Sequence, residues 1–183
     1  MTTITLPPEF SSFLDDFQKE SDRAAAVLGA AYLDERLERL LCSVFVGTPK
    51  FVEELLKGQG GLATFSSRIS IAYATGLITL PVAQDLHVIR RIRNDFAHTR
   101  TQVTFALVTV AQRVDKMQVL DMLGMGQREA LQGSANTRGK FNAAVALLIF
   151  LGVHVRISTS ARFKEAEPLI VHWETSGREP SAV

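Results

Sequence analysis

The sequence predicts an all-α protein, a single helical-bundle domain. Apolar residues recur at helical spacing in one segment after another. The plainest set is Val82, Leu86, Ile89, Ile92 and Phe96, which share one arc when the chain turns about 100° per residue. No stretch shows the apolar–polar alternation of a strand, and there is no internal repeat. The longest apolar run, Ala143 to Val155, is too short to span a bilayer and suits a buried helix.

Composition sets the outer limits. The chain has 183 residues, 46% hydrophobic and 21% charged, the balance of an ordinary globular protein whose core needs no staples. A net charge of +1 excludes a global field toward nucleic acid or membrane, although a local patch stays open. The single cysteine, Cys42, excludes an internal disulfide and a cysteine zinc site; in LERLLCSVF it reads as a small core hydrophobe. Met1 to Phe10 is short, polar and proline-containing, unlike a signal peptide, so a cytoplasmic protein is expected. The expected division is a flexible 1–8, an all-helical domain over 9–160 and a polar tail over 161–183, with both termini disordered.

In order, the first helix is predicted over about Glu9 to Lys19, with Phe10, Phe13, Leu14 and Phe17 on one face in need of a deep groove. Ser21 or Asp22 is placed to cap a long second helix reaching about Val46. Its apolar arc takes Ala26, Ala30, Leu33, Leu37, Leu40, Leu41 and Val44, and small residues in its first half invite a close neighbour. A short helix follows over Pro49 to Leu56, then a turn in KGQGG, which lacks the spacing of a phosphate loop. TFSSRISIAYATGL makes the next helix, with Phe65, Ile69, Ala72 and Tyr73 inward and Gly76 as its stop. Pro81 suits the first turn of the helix that ends near His98. Thr104 to Met117 reads as helix despite its β-branched residues, Leu123 to Arg138 as a mobile loop, and Lys140 to Ile157 as a central apolar helix.

Chemistry concentrates in RRIRNDFAH, residues Arg90 to His98. By helical phase Arg93 falls inside the apolar arc, while His87, Arg91, Asn94 and His98 project from the other side as a candidate surface site. A buried guanidinium keeps its proton and must find carboxylates or carbonyls. Asp34, at the edge of the second helix's arc, is the candidate partner of Arg93, with Arg23 in the same network; edge residues snorkelling to solvent is the equal alternative. An inward, paired Arg93 would cost about 3 kcal/mol or more to remove.

Other chemistries find less. A helix-turn-helix around Ala72, Gly76 and Val82 would present Val82 to Gln84 to the bases, residues that offer little to read them. His87, His98, His154 and His172 form no ligand-spaced set with acids, so neither metal nor cofactor is expected. Asp34, Glu35 and Glu38, interleaved with Arg36 and Arg39, read as a solvated face. Arg93, Asn94 and His98 do hold the residue types that metal-free RNA cleavage needs: a histidine titrating near neutrality and an arginine to grip phosphate. Five residues apart on a helix, however, Arg93 and His98 point about 140° from one another, so they converge only if the helix breaks or if two chains pair. The structural alternative makes His98 a C-terminal cap.

Three stretches in order, ESDRAAAVLGAAYLDERLERLL, GLATFSSRISIAYATGLI and DLHVIRRIRNDFAH, resemble the mannitol operon repressor family over roughly residues 10–118. That resemblance implies an all-helical cytoplasmic regulator without a DNA-reading motif, acting through protein partners or as a co-regulator, and a homodimer or other homo-oligomer. Arg93, Asn94 and His98 separately resemble the R-x4-H signature of HEPN domains. This implies a HEPN-like bundle that in active members is a dimeric, metal-independent RNase, and in others a binding module. The leading expectation is a transcription-associated regulator working by protein contact. An RNase using Arg93 and His98 and a direct operator-binding repressor are the competing ones.

Overall fold

Ser21 opens the long helix on which the bundle is assembled. Its side chain accepts the Ala24 amide at 3.2 Å, satisfying one of the free N–H groups of the first turn, and α2 runs Asp22–Cys42. In this computed structural model residues 9–98, 103–122 and 136–159 are described, with side chains over 12–98, 103–121 and 136–150. The elements are α1 (Glu9–Lys19), α2, α3 (Pro49–Leu56), α4 (Phe65–Ala74), α5 (Leu80–His98), α6 (Val108–Val114), a 3-10 turn at Val119–Met122, and α7 (Thr137–Thr159). Among the described residues there is no strand, and no helix is long and apolar enough to cross a membrane. The expected flexible segments 1–8 and 161–183 lie outside the described residues, as does most of the expected loop; Thr137 and Arg138 already belong to α7.

The helix ends follow from local chemistry. Thr48 caps α3 by accepting the Phe51 amide at 3.3 Å, with Pro49 in the first turn, where its missing N–H costs nothing. Thr64 and Ser67 form a reciprocal capping box on α4. At the other end of α4, Gly76 takes φ +72° and its amide donates to the Tyr73 carbonyl, while Leu77 donates to Ala72. That pair of bonds is a Schellman stop, and the buried Leu77 supplies its apolar contact. In the KGQGG turn Gly60 is fixed by space. A Cβ there would stand 2.2 Å from the Glu54 carbonyl oxygen and 2.3 Å from that of Leu55.

α2 lies at the centre, packed by α4, α5 and α7, with α1 reaching it through Phe17 at Gly29 and Phe13 at Tyr32. Its stripe of Ala25, Ala26, Gly29 and Ala30 is buried and lets its neighbours close in. A Cβ on Gly29 would already be 3.1 Å from the Phe17 ring and 3.2 Å from Val145. α7 is buried without interruption from Phe141 to Ile149, as befits a helix apolar on all sides. The groove that the phenylalanines of α1 require is intramolecular. Phe17 is buried, and Phe13 stacks on it at 5.3 Å and meets Tyr32 and Phe150 edge-on.

Three expectations are corrected. Cys42 is exposed, because one residue beyond the buried Leu41 the helix has turned about 100° off its apolar arc. Tyr73, one residue past the buried Ala72, is 45% exposed for the same reason. The helix expected over Thr104 to Met117 contracts to Val108–Val114. The Phe105 amide is taken by Asp22 Oδ2 at 3.1 Å, and its ring docks between Phe96 and Phe141 at centroid distances of 5.0 and 4.9 Å. That anchor holds the backbone at 105 outside helical geometry.

Candidate functional site

α5 carries the candidate residues, and its neighbours decide which of them are accessible. α2 and α4 cover one flank; α6 and the 3-10 turn cover the other. The inward arc buries Leu86, Ile89, Ile92 and Phe96. Between the flanks an open arc remains: His87 and Asn94 half-buried, Arg91 and His98 exposed, with half-buried Arg90 at its edge.

Arg93 is exposed, contrary to the expectation that it points inward. The ten residues of α4 span about 15 Å and the nineteen of α5 about 28 Å, so α5 overhangs its hairpin partner at the C-terminal end. Helical phase puts Arg93 in the apolar arc, but on the overhang its side of that arc meets solvent while Ile92 and Phe96 stay buried. Its guanidinium donates to Asn94 Oδ1 at 2.9 Å and reaches Asp34 only as a weak field. Arg23, expected beside Asp34, instead donates to the Ala97 carbonyl at 3.2 Å, capping one of the free carbonyls at the end of α5.

The partner of Asp34 is Arg68, on α4. Arg68 Nη1 lies 2.7 Å from Asp34 Oδ1 and Nη2 lies 3.0 Å from Glu38 Oε2. Nη2 also donates to the Leu56 carbonyl at 2.7 Å, and Nε to that of Leu62 at 3.0 Å. Two carboxylates and two carbonyls meet the demand of a buried guanidinium, and they tie α2, the end of α3 and α4 together. Burial pushes the Asp34 carboxyl above its usual range, more than the Arg68 bond lowers it.

A second buried charge went unnoticed in the sequence. Asp85, 1% exposed, accepts the Gln118 amide at 3.0 Å and the Val119 amide at 2.6 Å, pinning the start of the 3-10 turn to α5. Burial raises its carboxyl despite both bonds. The signal was present for both residues. Arg68 falls between Phe65 and Ala72, and Asp85 between Val82 and Ile89, inside their apolar arcs by the phasing that singled out Arg93.

On the open arc the electrostatics run one way. His87 is held below its usual titration range by burial and by the nearby Arg90 and Arg91. Its Nδ1 and the Nε of Arg90 are shielded from solvent and have no hydrogen-bond partner. The acid flanking the arc, Asp95, is turned elsewhere, to Arg113 of α6. α5 continues unbroken to His98, so Arg93 and His98 stay about 140° apart within one chain. The His154 side chain and His172 lie outside the described residues, and no three His, Cys, Asp or Glu among the described residues gather as metal ligands.

The chain's relatives agree with this architecture. The family described as mannitol repressor (MtlR) matches residues 18–146. Among solved structures, the fold is similar to that of the MtlR–HPr complex from Escherichia coli. The TM-score is 0.60 at 18% identity, over 81% of this chain and 98% of that one. It is likewise similar to a possible transcriptional regulator, YggD, from Shigella flexneri 2a, with a TM-score of 0.62 at 15% identity, over 85% and 98%. No curated protein matches the chain.

Proposed function

Since the chain belongs to the mannitol repressor family, we propose that it is a transcription-associated regulator that works by protein–protein contact rather than by reading operator DNA. The observation that carries this reading is the cationic arc of α5, left open by the four elements around it, where neither Arg90 nor Arg91 has a carboxylate within ion-pair distance among the described residues. A structurally similar chain is known in complex with a protein, HPr, which supports a protein partner here.

Direct base reading fits the geometry poorly. A recognition helix offers the residues of its first turns to base edges. In α5 those turns hold the half-buried Val82, the buried Ala83 and Asp85, and Gln84, whose Oε1 accepts a bond from Gln118 at 2.7 Å. The free arginines begin at Arg90, a turn or two later.

The test pairs a mannitol-operon promoter reporter with a gel shift on the same operator fragment at low salt. The expected result is a reporter that responds to the chain and no shift by the purified protein. An unresponsive reporter, or a specific shift with steep salt dependence, would sink the proposal. The RNase reading needs Arg93 and His98 from two chains to meet. RNA cleavage lost in His98→Ala would replace the regulator reading with that enzyme.

A further inference from the structure

We propose that the open arc of α5, formed by His87, Arg90, Arg91 and Asn94, is a docking face for a carboxylate-rich protein surface. The inference rests on the regulator reading only in giving such a partner its role.

The charges on this face are unspent. Neither Arg90 nor Arg91 has a carboxylate within ion-pair distance among the described residues, whereas Arg39, Arg68, Arg113 and Arg138 are all paired. His87 and Arg90 are one turn apart on one face, both acting on the same small area. Arg90, half-buried, and Arg91, exposed, carry guanidinium groups that stay protonated and can only donate. Asn94 adds a neutral amide beside them. Planar guanidinium forks beside an amide suit carboxylates, which accept two parallel bonds.

A protein suits the face better than the other anionic or symmetric occupants. From His87 to His98 the arc runs about 16 Å, too short to follow the phosphate track of a nucleic acid with two free arginines and a net charge of +1. A second copy of this chain would set Arg90 and Arg91 against their own counterparts with no acid between them. Acidic side chains on a folded partner reverse that repulsion, and the short arc matches a transient contact steered by charge.

The test uses the full chain and a fluorescein-labelled deca-glutamate peptide, read by anisotropy, with a deca-thymidine oligonucleotide in parallel. Arg90→Glu and Arg91→Glu should each weaken peptide binding about tenfold or more. Arg36→Glu makes the same charge change at an exposed position on α2, outside the arc, and should change binding less than about twofold. Unchanged helical content and melting would show that the variants fold. No peptide binding, equal losses in all three variants, tighter binding of the oligonucleotide at the same arginines, or a dimer dispersed by Arg91→Glu would each overturn the docking face. The failures separate cleanly. Peptide binding beside a silent reporter keeps the face and removes the regulator. A responsive reporter with full peptide binding by Arg91→Glu keeps the regulator and removes the face.

Discussion

Arg68 crosses from α4 to reach Asp34 on α2, Nη1 to Oδ1 at 2.7 Å, with only 7% of the arginine side chain exposed. The guanidinium also holds Glu38 and the carbonyls of Leu56 and Leu62, so removing it strands two acids and two acceptors at once. Arg68→Ala is expected to cost about 3–5 kcal/mol in urea unfolding. Arg93→Ala, at an exposed position, should stay within about 0.5 kcal/mol. Equal effects of the two variants would mean that the bundle's ionic hub is misplaced.

Asp85 gives the fold a pH signature. Its carboxyl titrates above the unfolded value, so the folded state holds the proton more tightly. Its contribution is therefore complete below the unfolded value of about 3.9 and is lost as pH rises through the folded one. Against Asp85→Asn, which cannot titrate, the wild-type protein should gain melting temperature as pH falls through that window. A gap independent of pH would assign the titration elsewhere. Asp85→Ala leaves the Gln118 and Val119 amides unpaired and should cost about 2 kcal/mol or more.

Asn142 is fully buried in α7, and neither its Oδ1 nor its Nδ2 has a hydrogen-bond partner. An unmet amide costs more than an apolar group of the same shape. Asn142→Leu should raise stability by about 1 kcal/mol or more in chemical denaturation. A loss of stability would show that the amide is engaged in solution.

Gly60 and Gly61 make a paired test of the turn after α3. A methyl group on Gly60 meets the Glu54 carbonyl oxygen at 2.2 Å, whereas one on Gly61 meets nothing within 4 Å. Gly60→Ala should destabilise by about 2 kcal/mol or more, because backbone has to move, and Gly61→Ala by less than about 0.5 kcal/mol. Similar melting temperatures for the two would contradict the close approach.

Much of this was legible in the residues. The cap at Ser21, the start of α3 at Pro49 and the glycine stop at Gly76 are local rules, and they set those helix ends where the sequence put them. The apolar arcs of α2 and α5 were equally local, because 3.6 residues per turn assigns every side chain an azimuth. By that measure the sequence alone determined the all-α class, the helix order and the core stripe from Ala26 to Leu41.

Azimuth does not say where a neighbouring helix stops. Only the tertiary structure decided that α4 is too short to cover Arg93, that Arg68 takes the place beside Asp34, and that Asp85 clamps a turn thirty-three residues away at Gln118. Those outcomes depend on relative helix lengths and on which charged group reaches a partner before desolvation makes it costly. A one-dimensional period marks a charge as inside the arc; the packing of the other helices settles whether that place is buried.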